Sequence, residues 1–165
     1  MNPIASADTA CSENRIEARL AALHLLLPNV PQPVAAYVNC VRTGNLVFLS
    51  GGLPIDGALR ITGKVGDSVD IETAKKAAHM IVLNRLAVLK AELGSLDKIT
   101  RIVALNGFVN CTPDFLDHPQ VMNGASELLV AIFGEQGKHS RTAVGAPSLP
   151  FDVSVELNLV VEVAP

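Results

Sequence analysis

The chain has no tryptophan and a single tyrosine, and its net charge of −3 is spread without any Lys/Arg cluster. Binding nucleic acid calls for a basic face and stacking aromatics, so no nucleic-acid partner is expected. Charged residues are scarce, 18% against 49% apolar. Even so, Lys90, Glu92 and Glu127 interrupt the longest helical patterns, so no run is fit to span a membrane. The opening "MNPIASADTACSENR" lacks the basic-then-apolar order of a signal peptide. Cys11, Cys40 and Cys111 are odd in number, far apart and form no C-x-x-C, which predicts reduced thiols in a cytoplasm. His24, His79, His118 and His139 show no metal-binding spacing. No cysteine has a histidine partner by spacing, and neither a P-loop nor G-x-G-x-x-G is present, so neither metal nor cofactor is expected. "LSGG" is not a nucleophile elbow. His79, inside a helical pattern, reads as a core or interface residue.

A length of 165 residues suits one domain. The composition is more apolar than an average soluble domain, and the excess is expected to be hidden by oligomerisation. Ser12 is placed to cap a helix with a stripe of Ile16, Leu20, Leu23 and Leu27, stopped by Pro28, Pro31 and Pro33. Residues 1–35 therefore read as an N-terminal helix and proline-rich link, and 36–165 as the main domain. There, Tyr37–Val41 and Leu46–Ser50 flank "RTGN" as a hairpin. Asp70 caps a helix over Ile71–Leu93, closed by Gly94. A strand over Ile99–Val109 follows, then a helix announced by Asp117 and Pro119. Strands over Arg141–Ala146 and Val153–Val163 end the chain. The order predicts an α+β fold, a mixed sheet with two long helices on one face. Both residue sets of Ile99–Val109 are largely apolar, so a partner subunit is expected to cover the other face.

"YVNCVRTGNLVFLSGGLP", the "NGAS" of the second long helix and "RTAV…LPFDVSVE" resemble the YjgF/YER057c/UK114 family, also called the Rid family. The resemblance covers about residues 36 to 163, and the N-terminal helix suggests a longer subgroup. It implies a chorismate-mutase-like fold, a homotrimer with a ligand cleft at each subunit interface, and cofactor-free hydrolysis of reactive enamines and imines to 2-keto acids and ammonia. Such imines are released by pyridoxal-phosphate enzymes, so the ligand would be a small carboxylate or imino acid.

Arg141 matches the family arginine that grips the substrate carboxylate, a task suited to a planar guanidinium that forks onto two oxygens. Glu156 lies on the polar set of a strand whose alternate residues Val153, Val155, Leu157, Leu159 and Val161 form an apolar face. It matches the glutamate that handles the attacking water, and a half-buried carboxyl can hold a raised pKa for that role. Tyr37, Ser50, Gly51 and Asn123 match cleft residues; each also has a plain reading, as sheet aromatic, turn residue or solvent-facing helix position. Two departures stand out. The family cysteine is Ala143, whose carbonyl would still reach the substrate nitrogen, and the family glutamine after "SG" is Gly52. A trimer that binds small carboxylates without turnover is the main alternative, and an endoribonuclease-type translation inhibitor is the second.

Overall fold

Ile71–Leu93 (α2) is fixed at both ends by local chemistry. The Asp70 carboxylate accepts a hydrogen bond from the Thr73 N–H at 2.7 Å, and Gly94 adopts φ 80° at the C-terminus, a left-handed close that costs glycine little. Its apolar stripe, including Ala74, Ala78, Ile81 and Leu89, is fully buried. His118–Phe133 (α3) begins beside Pro119 as expected, although Asp117 makes no side-chain cap. A shorter helix, Arg15–Ala22 (α1), comes before both in this computed structural model, which describes residues 14–33 and 35–165. Ser12, the expected cap of α1, and Cys11 lie outside the described residues. The α1 stripe stops sooner than expected, because His24 turns to φ 56° and Leu23 and Leu27 fall beyond the helix. Ile16 and Leu20 are nonetheless buried in the common core. The Ile16 N–H donates to Asp97 Oδ1 at 3.1 Å, and Arg19 Nε donates to the Ala131 carbonyl at 2.8 Å. The helix is thus joined to the helical layer.

The main sheet contains Cys40–Thr43 (β1), Leu46–Leu49 (β2), Ile99–Asn110 (β5), Ser140–Ala146 (β6) and Val155–Val163 (β7). A separate hairpin, Ile55–Asp56 (β3) and Leu59–Arg60 (β4), turns at Gly57 with φ 58°. The sheet order is β1-β2-β7-β5-β6, antiparallel except for β5 and β6. The first strand lies later than expected. It starts at Cys40, so Tyr37 sits in the segment before it.

Register divides the sheet into two faces. Val47, Val161 and Ile102 form one row, Leu159, Leu105 and Arg141 the next, and Leu157, Gly107 and Ala143 another. These rows share the face that α2 and α3 cover. The opposite rows contain Val41, Phe48, Val160 and Ala104, then Asn158, Asn106 and Thr142, then Glu156, Phe108 and Val144. Among the described residues no helix covers that face. On it Val41 is 57% exposed, Phe48 45% and Val144 41%, a large apolar area for a surface. Among the described residues no helix is long and apolar enough to cross a membrane.

Candidate functional site

The "LSGG" turn continues β2 towards β7 with a change of register. Phe48 pairs with Val160, whereas Gly52 pairs with Leu157. Four steps on one strand therefore oppose three on the other, which is a β-bulge, a device that re-aims the backbone. The bulge lays Gly51 against the Glu156 carboxyl. A Cβ on Gly51 would lie 3.0 Å from Glu156 Cδ, with Oε1 closer still. Only glycine permits that approach without moving the carboxyl. Glu156 is half-buried, and desolvation raises its pKa above the ordinary carboxylate value.

Ser50 and Tyr37 belong to the same end of the sheet. The Ser50 hydroxyl donates to the Val38 carbonyl at 2.6 Å, tying the turn to the Tyr37 segment. Tyr37 and Gly51 line a cavity of about 410 Å³ together with Asn39, Asn84, Arg60 and Arg85. Asn84 Nδ2 donates to the carbonyls of Leu53 and Ile55 at 3.2 and 3.0 Å, which fixes the cavity wall. Phe151 closes one side, and both it and Asp152 hold φ 56°. Backbone in that region is costly for a non-glycine residue and concentrates at functional sites. Here it is held by Gly63, whose N–H donates to the Asp152 carbonyl at 2.8 Å, and by buried Asn110, which donates to Asp152 Oδ1 at 3.0 Å.

Arg141 sits at the other edge of the sheet, on β6. Its Nη1 donates to Asn123 Oδ1 at 2.9 Å and to Ser126 Oγ at 3.1 Å, both on α3. Ser126 also meets His139 Nε2 at 3.0 Å, while His139 Nδ1 lies 2.6 Å from the Gly137 carbonyl. A carbonyl can only accept, so Nδ1 carries a proton; in the tautomer this sets, Nε2 accepts from the Ser126 hydroxyl. The hydroxyl oxygen is then turned to receive Arg141. Nη1 of the guanidinium is held in this way on an exposed side chain. Neither Asp152 nor Glu156 pairs with it.

Asn123 and Ala143 therefore gather around Arg141, and Tyr37, Ser50 and Gly51 gather near Glu156. The two groups do not meet within one chain. Arg141 belongs to the helix-covered row of Leu105 and Leu159, and Glu156 to the open-face row of Phe108 and Val144. The sequence reading missed Ser126, His139 and Arg85. Ser126 stands inside the quoted "NGAS", three residues after Asn123 and thus on the same helix face; Arg85 sat unnoticed in the apolar α2 pattern. The structure also pairs a cysteine with a histidine that spacing did not reveal: Cys111 Sγ lies 3.4 Å from His118 Nε2. Burial raises the Cys111 pKa, which leaves a protonated thiol and no poised nucleophile. Among the described residues no cluster of three or more potential metal ligands occurs. His79 is half-buried on α2, where desolvation lowers its pKa.

Comparison with known proteins agrees with the fold. A crystal structure of the Agrobacterium tumefaciens protein Atu1372 superposes with a TM-score of 0.86 at 43% identity, covering 93% of this chain and 95% of that one. Protein TCP17 of Trypanosoma cruzi is 38% identical over 155 residues, 92% of this chain and 96% of its own length. A Dermatophagoides farinae protein named 2-iminobutanoate/2-iminopropanoate deaminase is 29% identical over 136 residues, 81% of this chain and 91% of its own. Residues 17–163 match the family described as "YjgF/chorismate_mutase-like, putative endoribonuclease", a stretch that takes in most of α1, and the chain belongs to that YjgF family.

Proposed function

We propose that the protein is a cofactor-independent deaminase that hydrolyses small 2-imino acids and their enamine tautomers to 2-keto acids and ammonia. It would act as a homotrimer in which Arg141 of one subunit and Glu156 of its neighbour complete each cleft. The observation that carries the reading is the Gly51–Glu156 contact, which holds a half-buried carboxyl of raised pKa beside a cavity. The opposite-facing positions of Arg141 and Glu156, and the exposed Val41, Phe48 and Val144 on the open face, support a site shared between subunits. So does the deaminase name of the Dermatophagoides relative.

In the reaction, Arg141 fixes the substrate carboxylate through the guanidinium edge that Asn123 and Ser126 leave free. The Glu156 carboxylate takes a proton from water as its oxygen bonds to the imine carbon. Glu156 returns that proton to the imine nitrogen, giving the carbinolamine. It then takes the carbinol hydroxyl proton and passes it to the amino nitrogen as the C–N bond breaks, so that the C=O of the 2-keto acid forms and ammonia leaves. The Ala143 carbonyl would accept from the substrate N–H. Positioned acid–base help of this kind is worth about 10²–10⁴ in rate.

The test is release of ammonia and 2-keto acid from imines made in place by a threonine dehydratase, with semicarbazide trapping. Acceleration that disappears in Arg141→Ala and in Glu156→Gln is the expected result. No acceleration over buffer across several imines would overturn the reading and leave a carboxylate-binding trimer.

A further inference from the structure

Arg85 is the least expected residue of the cavity. It is 3% exposed, and among the described residues no carboxylate lies within ion-pair distance of it. Its Nη1 donates to the Ser50 carbonyl at 3.1 Å, while Nε is buried without any hydrogen-bond partner. A buried guanidinium without a counter-charge is costly unless something supplies one. The cavity walls do not: Arg60 and Arg85 are the ionisable cations lining it, and no Asp or Glu does. Asn39, Asn84 and Tyr37 add only neutral polar groups.

Gly52 makes room for this side chain. A Cβ there would lie 2.5 Å from Ile81 Cγ2, 2.8 Å from Arg85 Nε and 3.1 Å from Arg85 Cδ, so a larger residue at 52 would displace both side chains. At this turn the cavity wall therefore carries a cation reaching in from α2.

We propose that this pocket is an anion subsite, in which Arg85, with Arg60 at the rim, binds a second carboxylate of the ligand. The substrate class is then the dicarboxylic 2-imino acids, the imines of acidic amino acids, in preference to those with short apolar side chains. This rests on the deaminase reading, in which the first carboxylate belongs to the neighbour's Arg141. With Nη1 held by the Ser50 carbonyl, Nη2 is the nitrogen left to donate to the carboxylate, and the charge-assisted bond strengthens the preference.

Two measurements separate this inference from the reading beneath it. The first is calorimetric binding of 2-oxoglutarate and 2-oxobutanoate to the whole protein. The second is hydrolysis of the glutamate imine, made in place by an L-glutamate oxidase, against the alanine imine. The expected result is at least tenfold tighter binding of 2-oxoglutarate, with Arg85→Gln abolishing that margin and leaving 2-oxobutanoate binding within about twofold; Arg85→Lys should restore part of it. Arg60→Gln, at a more exposed position, should reduce the margin without a risk to folding. Equal binding of the two keto acids by the wild-type protein overturns the subsite, whatever the variants do. Dicarboxylate preference without hydrolysis of either imine would keep the subsite and sink the deaminase. Hydrolysis of both imines at equal efficiency would do the reverse.

Discussion

Replacing Gly51 by alanine isolates the geometry of the Glu156 carboxyl from its chemistry. The added Cβ would stand 3.0 Å from Cδ and 3.4 Å from Cγ, with Oε1 closer than either. Ordinary contact begins at 3.4 Å, so Cδ must retreat by several tenths of an ångström and Oε1 by roughly 1 Å or more. The obstructing atoms are the end of a flexible side chain, so the fold survives. A strained or exchanged rotamer costs about 0.5–1.5 kcal/mol, or a Tm shift of about 2–6 °C in a chain of this size. Catalysis is less tolerant, since a misplacement of about 1 Å costs on the order of 10²-fold in rate. Gly51→Ala is therefore expected to lower kcat/KM for imine hydrolysis by about a hundredfold while Tm falls by no more than about 6 °C. Glu156→Gln should remove nearly all of the remaining effect, so that the double variant is no slower than Glu156→Gln alone. Near-wild-type kcat/KM in Gly51→Ala would refute the role given to this contact.

The raised pKa of Glu156 bears on stability and on activity. The folded carboxyl holds its proton to higher pH than the unfolded one. Its contribution to stability is therefore complete below the unfolded value, 4.5, and is lost as pH rises through the folded value. Glu156→Gln should consequently melt above wild type at pH 8, with the difference shrinking towards pH 4.5; a constant difference would contradict the assignment. Hydrolysis should fall as pH drops through the same folded value, because the ionised form takes the proton from water. On α3, a Cβ at Gly124 would meet the Lys75 main chain, 2.9 Å from Cα, so Gly124→Ala must push α2 and α3 apart. It should cost about 1–3 kcal/mol in urea unfolding. If the proposed trimer uses the open face, Phe48→Asp should give a smaller species than wild type in sedimentation, because a charge would be buried in the contact; an unchanged mass would contradict an interface on that face.

Much of the fold is written locally. The α2 boundaries follow from Asp70 and Gly94, residues whose side chain and backbone freedom act within one turn. The alternation from Val153 onward announced β7, its polar set and Glu156 in particular. Other features depend on partners distant in sequence. The bulge that carries Gly51 exists only because β2 meets β7 more than a hundred residues later, and nothing in "LSGG" alone reports its register. Arg85 looks like one charged residue in an apolar helix until Gly52 is seen to leave room for it. The same holds for the order of the sheet, where β5 intervenes between β7 and β6 and puts Arg141 and Glu156 on opposite faces. Two residues fifteen apart in sequence had read as two ends of one pocket; the register separates them within the chain.

Subunit mixing tests the shared site most directly. Arg141→Ala and Glu156→Gln proteins, each inactive alone, would be unfolded together, refolded as mixed assemblies and assayed for imine hydrolysis. A site built from Arg141 of one subunit and Glu156 of the next predicts recovery to about a quarter of the wild-type rate, the fraction of heterologous interfaces that receive both intact residues. Mixed assemblies with no more activity than their parents would contradict it.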